Sequence, residues 1–304
     1  MTMIIAMTGA TGFVGGETLA QALAAGHHVH ALTRRAQPPQ ARITWAPGAL
    51  DKGDALDRLV AQADAVIHIA GVVNAPDRAG FEAGNATGTI ALVDAMRRQG
   101  VRRLIHVSSL AAREPDLSDY GWSKELAERH VKASGLDWTI VRPPAIYGPG
   151  DREMLELFQM AKRGLVLLPP GGRFSVIHVA DLARLLLALA ADREISLTQC
   201  YEIDDDTPDG WDHRDFALAL GRALDRRVRP LSMPRALMTM AASIDRLLRG
   251  KRARLTPDRV RYFCHPDWVS NPRLAPPAPL WTPQTPTEEG LRATAQAYRA
   301  KGWL

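Results

Sequence analysis

Short apolar runs alternate with helical patterns through the first 143 residues, and few folds accept that rhythm. The runs are 3–7 (MIIAM), 28–33 (HVHALT), 43–46 (ITWA), 64–71 (DAVIHIAG), 103–109 (RLIHVSS) and 137–143 (DWTIVRP). The helical segments are 16–26, 55–63, 86–100 and 120–135, and the first and third of these stop at Gly26 and Gly100. Glycine suits the left-handed residue that often closes a helix. Strands that are apolar on both faces belong in a parallel sheet covered by helices on both sides. Right-handed crossovers then make the expected architecture a doubly wound α/β parallel sheet.

Beyond about residue 150 the rhythm loosens. Helices are expected at 153–164 and 178–192, with a late strand at 199–204. Residues 205–280 are richer in Pro, Arg and Trp, with helical patterns near 212–224, 234–249 and 256–263. A turn-rich stretch, 272–286, precedes a closing helix within 287–304. The expected division is therefore a core of 1–150 plus about 175–204, interleaved with a smaller C-terminal lobe of about 151–174 and 205–304. No internal repeat is visible.

Composition excludes several function classes. Lys and Arg number 38 against 33 Asp and Glu, a formal +5, and no basic tract dominates the first half, so charge does not imply a nucleic-acid partner. Two distant cysteines, Cys200 and Cys264, make no disulfide framework and read as free thiols in a reducing compartment. The N-terminus lacks the basic and apolar regions of a signal peptide, and the apolar run 182–191 is too short to span a bilayer and contains Arg184. A cytoplasmic location is expected.

The segment TGATGFVGG (8–16) follows the first strand and opens the first helix. Its Gly9, Gly12 and Gly15 allow a tight turn, a close approach of pyrophosphate to backbone, and tight packing of helix on strand. Free N–H groups and the positive end of the helix dipole then face the phosphates. This strand–turn–helix context points to a dinucleotide and to a Rossmann fold, with Thr11, Phe13 and Val14 beside the glycines as further contacts. An acidic residue at the end of the second strand would select NAD. Here Thr33 is followed by Arg34 and Arg35, whose guanidinium forks suit a 2′-phosphate, so NADP(H) is expected ahead of NAD. Leu50, in the loop 48–50, is expected near adenine, and Ala70 and Gly71 end a strand facing the cofactor.

Tyr120 and Lys124 are four residues apart, so they share one helix face. Ser108 and Ser109 end the strand before them, at the carboxyl edge where ligands of such sheets bind. Lys124 can hydrogen-bond the nicotinamide ribose and lower the pKa of Tyr120 by its charge. Tyr120 can then exchange a proton with a carbonyl or alcohol oxygen, while a serine hydroxyl holds that oxygen.

These segments, with NATGTIALVDA, VRPPAIYGPGD and HVADLA, resemble the extended branch of the short-chain dehydrogenase/reductase superfamily, which includes NAD(P)-dependent epimerases and dehydratases. The resemblance covers most of the chain. It implies a catalytic Ser–Tyr–Lys trio of Ser109, Tyr120 and Lys124, Ser109 matching the family serine better than Ser108. It also implies a mainly structural Asn85, cofactor contacts from Pro143 and Ile146, and homodimerisation as a common family trait, although no interface can be read from the residues. Departures weaken a nucleotide-sugar substrate: Ala145 stands where such enzymes carry Asn, and Ala49 where Asp commonly meets adenine. Leu110 and Ala111 stand where dehydratases place an acid. The favoured activity is hydride transfer to or from a carbonyl or alcohol substrate. The alternatives are epimerase or dehydratase chemistry with internal hydride return, or a non-enzymatic NADP(H)-binding sensor.

Other groups have plainer readings. His27, His28 and His30 lie at a helix–strand junction, and Cys264 and His265 are adjacent, which is not metal-ligand spacing, so no metal is expected. Arg113, Asp151 and Arg152 are candidates to meet a polar substrate. The helix within 232–254, apolar and ending in a basic cluster, reads as part of the substrate lobe, where it could line the substrate pocket or make a dimer contact. A membrane-surface role is disfavoured at this point because the lobe reading needs no further assumption.

Overall fold

The computed structural model describes residues 2–192, 194–250 and 256–304. The chain opens with β1 (Ile4–Thr8), α1 (Phe13–Ala24), β2 (His28–Thr33), β3 (Ile43–Pro47), α2 (Gly53–Val60) and β4 (Ala65–His68). A one-turn helix α3 (Arg78–Phe81) runs through a π-helical turn (Glu82–Thr87) into α4 (Gly88–Gln99). Then come β5 (Arg103–Val107), a 3-10 turn (Leu110–Arg113), α5 (Asp119–Lys132) and β6 (Asp137–Arg142).

Next are β7 (Ala145–Tyr147), α6 (Leu155–Lys162), β8 (Leu165–Leu168), β9 (Arg173–Phe174) and β10 (Val176–His178), followed by α7 (Val179–Ala191) and β11 (Gln199–Glu202). The remainder holds β12 (Trp211–Asp212), α8 (His213–Leu224), β13 (Arg229–Ser232), α9 (Arg235–Arg249), α10 (Pro257–Phe263), β14 (Asp267–Trp268) and α11 (Thr287–Ala300). Two compact units result. The first is 1–142 with 180–202 and 273–282; the second is 143–179 with 203–272 and 283–304. Residues 143–150 thus fall in the second unit rather than with the expected core, and 273–282 in the first rather than with the lobe.

The first unit is built on a seven-stranded parallel sheet of order β11-β6-β5-β4-β1-β2-β3. The order reverses between β1 and β4, the doubly wound pattern that opens a crevice at the carboxyl edge. Alternate strand residues feed opposite faces. Ala6, Val66, Leu104 and Ile140 pack with Leu56, Leu59, Leu92 and Met96 of α2 and α4, while Ile5, Met7, Ile67 and Ile105 are equally buried on the other side. Buried Leu182, Leu185, Leu186 and Leu189 show that the apolar run of α7 is a core helix. Arg184 of that helix pairs with Asp181 and donates to the Thr282 carbonyl. No helix among the described residues is long and apolar enough to cross a membrane.

Arg103 of β5 is a buried cation in this core. Its guanidinium donates to the carbonyls of Leu189 (2.7 Å) and Asp137 (3.0 Å) and to Ser196 Oγ (2.7 Å), so each of its three nitrogens meets oxygen.

The second unit packs α6, α8 and α11 around Tyr147, Phe158, Phe216, Leu220, Leu291 and Tyr298. Phe158 meets Tyr298 edge-on with centroids 5.1 Å apart, a favoured aromatic geometry. Its strands are short: β7 pairs β10, β8 pairs β13, and β9 lies between β12 and β14. None of these was expected from sequence, because strands of two to four residues leave too little alternation to read. The Cys264–Trp268 stretch is packing: Cys264 Sγ lies 3.8 Å from Met238 Sδ, and Trp268 Nε1 donates to the Tyr262 carbonyl.

Candidate active site

The glycine turn has the shape its spacing implies. Gly9 has φ +77°, and a Cβ on Gly15 would sit 2.0 Å from the Gly9 carbonyl oxygen, so α1 can approach the turn only without a side chain there. Gly12 N–H donates to that same oxygen at 2.9 Å. Helix α1 starts with no side-chain cap and no acid in its first turn, which leaves its leading N–H groups for an anion. Thr11 and Gly12 are exposed at this end, with Phe13 and Val14 half-buried behind them. This bare, positively polarised cradle fits a pyrophosphate.

At the ends of β2 and β3 lies a cavity of about 450 Å³, lined by Thr33, Arg34, Arg35, Trp45, Ala49 and Lys52 among others, with no carboxylate in its wall. Thr33 Oγ1 donates to the Arg35 carbonyl (2.6 Å) and accepts from its N–H (3.3 Å), which fixes the turn that carries both arginines. Lys52 and Trp45 escaped the sequence reading. Lys52 lies just past the loop singled out there, and Trp45 was taken only as part of a weak strand. Leu50 is not in this wall; it packs against Gly88 of α4, where a Cβ would come within 2.7 Å of Leu50 Cδ1.

After β4 the chain runs through Ala70 and Gly71, and Asn85 clamps it. The Asn85 side chain accepts from Val72 N–H (2.8 Å) and donates to the Val72 carbonyl (3.0 Å) and to Ser123 Oγ (2.9 Å). Ser123 in turn donates to the Tyr120 carbonyl (2.8 Å). Asn85 sits in the π-helical turn, a rare geometry that recurs at functional sites. One amide therefore ties the strand-end loop to the start of α5.

Helix α5 is capped by Ser118, whose Oγ accepts from Gly121 N–H, so Tyr120 lies in its first turn. A Cβ on Gly121 would sit 2.6 Å from the Ala111 carbonyl oxygen; this glycine lets the first turn of α5 close onto the 3-10 turn after Ser109. The ring of Tyr120 lies 6.1 Å from that of Phe81. Lys124, one turn on, is buried and donates to the Val107 carbonyl at 2.8 Å, two residues before Ser109. Burial pushes its ammonium down to about 8, with Glu128 pulling the other way.

The two serines are held differently. Ser108 Oγ donates to Glu128 Oε1 at 2.7 Å. Glu128 is gripped by both prongs of Arg142 (2.8 and 2.7 Å) and by Lys132 (3.1 Å), and Arg142 and Arg113 both reach Glu202. Burial alone would raise the Glu128 carboxyl, but Arg142 and Ser108 hold it below its ordinary range. Ser109 Oγ instead accepts from Ala111 N–H at 3.2 Å. Behind the site, Thr8 Oγ1 and Thr89 Oγ1 bracket His68 at 2.6 and 2.9 Å; burial, then the Lys124 charge, push His68 down to about 3, so it stays neutral.

Pro143 and Ile146 belong to the second unit, where Ile146 registers with Ile177. Arg113 is engaged with Glu202. Asp151 is buried, accepting from Glu153 and Met154 N–H, and Arg152 lies over the Trp303 ring. His27 Nδ1 accepts from Met3 N–H.

Residues 9–193 match the NAD(P)H-binding family. The chain is 35% identical to the ceramide reductase of Caulobacter vibrioides over 310 residues, covering 99% of this chain and 96% of that one. In fold it is similar to MoeE5 in complex with UDP-glucose and NAD, at 21% identity and a TM-score of 0.75, covering 98% of this chain and 99% of that one. It is equally similar to the Bordetella bronchiseptica enzyme WbmH in complex with NAD+, at 19% identity and a TM-score of 0.75, covering 99% and 100%.

Proposed function

This chain belongs to the extended short-chain dehydrogenase/reductase superfamily as an NAD(P)-dependent oxidoreductase, and on that premise we propose hydride transfer between NADP(H) and the carbonyl or alcohol carbon of a ceramide-class lipid, with Ser109, Tyr120 and Lys124 as catalytic residues. The observation that carries the proposal is the buried Lys124 ammonium, held on the carboxyl end of β5 one helical turn after Tyr120. The substrate class follows the Caulobacter relative, similar along nearly its whole length.

NADP(H), when bound, supplies or takes the hydride at its nicotinamide. The turn of Gly9, Thr11, Gly12, Phe13, Val14 and Gly15 would hold the pyrophosphate. Arg34, Arg35 and Lys52 favour a 2′-phosphate over a bare ribose, since three cations and no carboxylate border that cavity. Tyr120 hands a proton to the substrate oxygen, and the Lys124 charge steadies the phenolate left behind. Ser109 keeps its proton for the same oxygen, because its own oxygen only accepts from Ala111. Ser108 is committed to Glu128 and does not compete. Two free cysteines fit work in the reducing cytoplasm.

The test is NADPH oxidation with a keto-ceramide and with simple ketones, in wild type and Tyr120→Phe. Turnover of the lipid ketone should fall by about 10²–10⁴-fold in the variant. Undiminished turnover removes Tyr120 from the chemistry. Tight NADPH binding with no turnover on any carbonyl supports a sensor instead. Cofactor choice is read from melting temperature: NADPH should protect better than NADH at equal concentration, and Arg34→Ala/Arg35→Ala should abolish the difference.

A further inference from the structure

Helix α9 presents its bulk to the wrong side. Only Met238 and Ala242 are buried; with Val260 of α10 they form a small cluster flanked by Met233 and Cys264. Leu237, Met240, Ile244, Leu247 and Leu248 all face water, the last two at 85% and 78% exposure. At about 100° per residue these five share an arc of roughly 100°, opposite the Met238–Ala242 seam. A soluble helix ordinarily turns such a stripe inward. The neighbouring ribbon repeats the pattern: Leu167 of β8 registers with Leu231 of β13, and both are exposed. An exposed apolar stripe of this kind marks an interaction site.

Charge says what covers it. Residues 231–263 contain eight Lys and Arg against two Asp and Glu, a formal +6. The other 271 residues hold 30 against 31, so the whole positive excess of the chain lies in this one segment. Lys251, Arg252 and Arg254 of the segment lie outside the described residues and enter here only as sequence. A twofold dimer would bring this patch against its own copy and set +6 against +6. An anionic bilayer instead accepts the leucines at its acyl boundary and the cations among its headgroups.

We propose that α9 docks this protein on an anionic membrane surface, lying in the interface with Leu237, Met240, Ile244, Leu247 and Leu248 inserted. The sequence alone favours a lobe helix; the outward leucines are what turn the balance. The proposal rests on the second unit's surface alone and holds whether or not the substrate is a lipid.

Full-length protein with NADPH is sedimented with phosphatidylcholine vesicles, and with vesicles in which roughly one lipid in three is phosphatidylglycerol. Wild type should pellet with the anionic vesicles only, and added salt should release it. Leu247→Glu/Leu248→Glu should bind at least about tenfold more weakly, with an unchanged melting temperature because both sites are exposed. Wild type left in the supernatant with both vesicle types overturns the proposal, as does equal pelleting of wild type and variant. So does a wild-type dimer that the variant dissociates, which would give the face to a second copy.

Discussion

Helix α5 buries Lys124 and Glu128, while α9 leaves Leu247 and Leu248 in water. Each placement is costly for a folded chain on its own: buried charge loses hydration, and exposed leucine gains nothing from folding. The difference lies in what answers the cost. The α5 charges are met inside the chain by Val107, Ser108, Lys132 and Arg142. The α9 leucines are met by none of the chain's buried clusters among the described residues. Polarity displaced inward and answered marks an internal site; apolarity displaced outward and unanswered marks a surface for something else.

The comparison can be broken at either helix. The largest effect should come from Glu128→Gln, which leaves Arg142 and Lys132 without their shared carboxylate; about 3 kcal/mol of stability should disappear in urea unfolding at neutral pH. The Glu128 pKa lies below its unfolded value, so that stability is full above the unfolded value and fades as pH falls through the folded one. The variant should lack this acid limb.

Lys124→Met is the sharper case, because activity and stability should move oppositely. Turnover should be lost, yet the variant should be more stable by about 1–2 kcal/mol at pH 7, since a poorly hydrated charge is removed at the expense of one hydrogen bond to Val107. The folded Lys124 pKa is about 8 and the unfolded one is higher, so the wild type regains stability as pH climbs above 8. The gap between the two proteins should therefore close toward alkaline pH. A variant less stable than wild type at pH 7 would mean that the ammonium is a structural asset.

The smallest effect should be at α9. Leu247→Ser/Leu248→Ser should shift unfolding by less than about 0.5 kcal/mol, as for exposed sites. A loss of several kcal/mol would show that these leucines support the fold, and would erase the contrast with α5.

The parallel sheet was legible because its strands are long apolar runs punctuated by glycine. The glycine turn, and the placement of Tyr120 and Lys124 one turn apart on a helix after the serines of a strand end, were legible because helical spacing and strand ends fix where side chains go. What stayed hidden depends on pairing across sequence. Nothing local tells that Ser108 meets Glu128 twenty residues on while Ser109 turns back to Ala111. Gly121, read only as part of the helical segment 120–135, proves to be where the first turn of α5 closes onto the serine turn. The strands of the second unit were missed because short ribbons such as β8 and β13 are defined by partners 64 residues apart (Leu165 and Arg229) rather than by pattern. The outward face of α9 was invisible because periodicity gives a stripe and not its direction.

Arg103 carries a consequence for how the chain is made. Its acceptors Leu189 and Ser196 lie 86 and 93 residues downstream, and β6 has no outer neighbour until β11 arrives. A nascent polypeptide arrested before residue 180 would hold a guanidinium with the Asp137 carbonyl in place but Leu189 and Ser196 not yet translated, beside a strand edge open to any passing chain. Closure of the sheet's outer edge therefore waits for residues 180–202, which reach the ribosome's exit only after the second unit's first segment, 143–179.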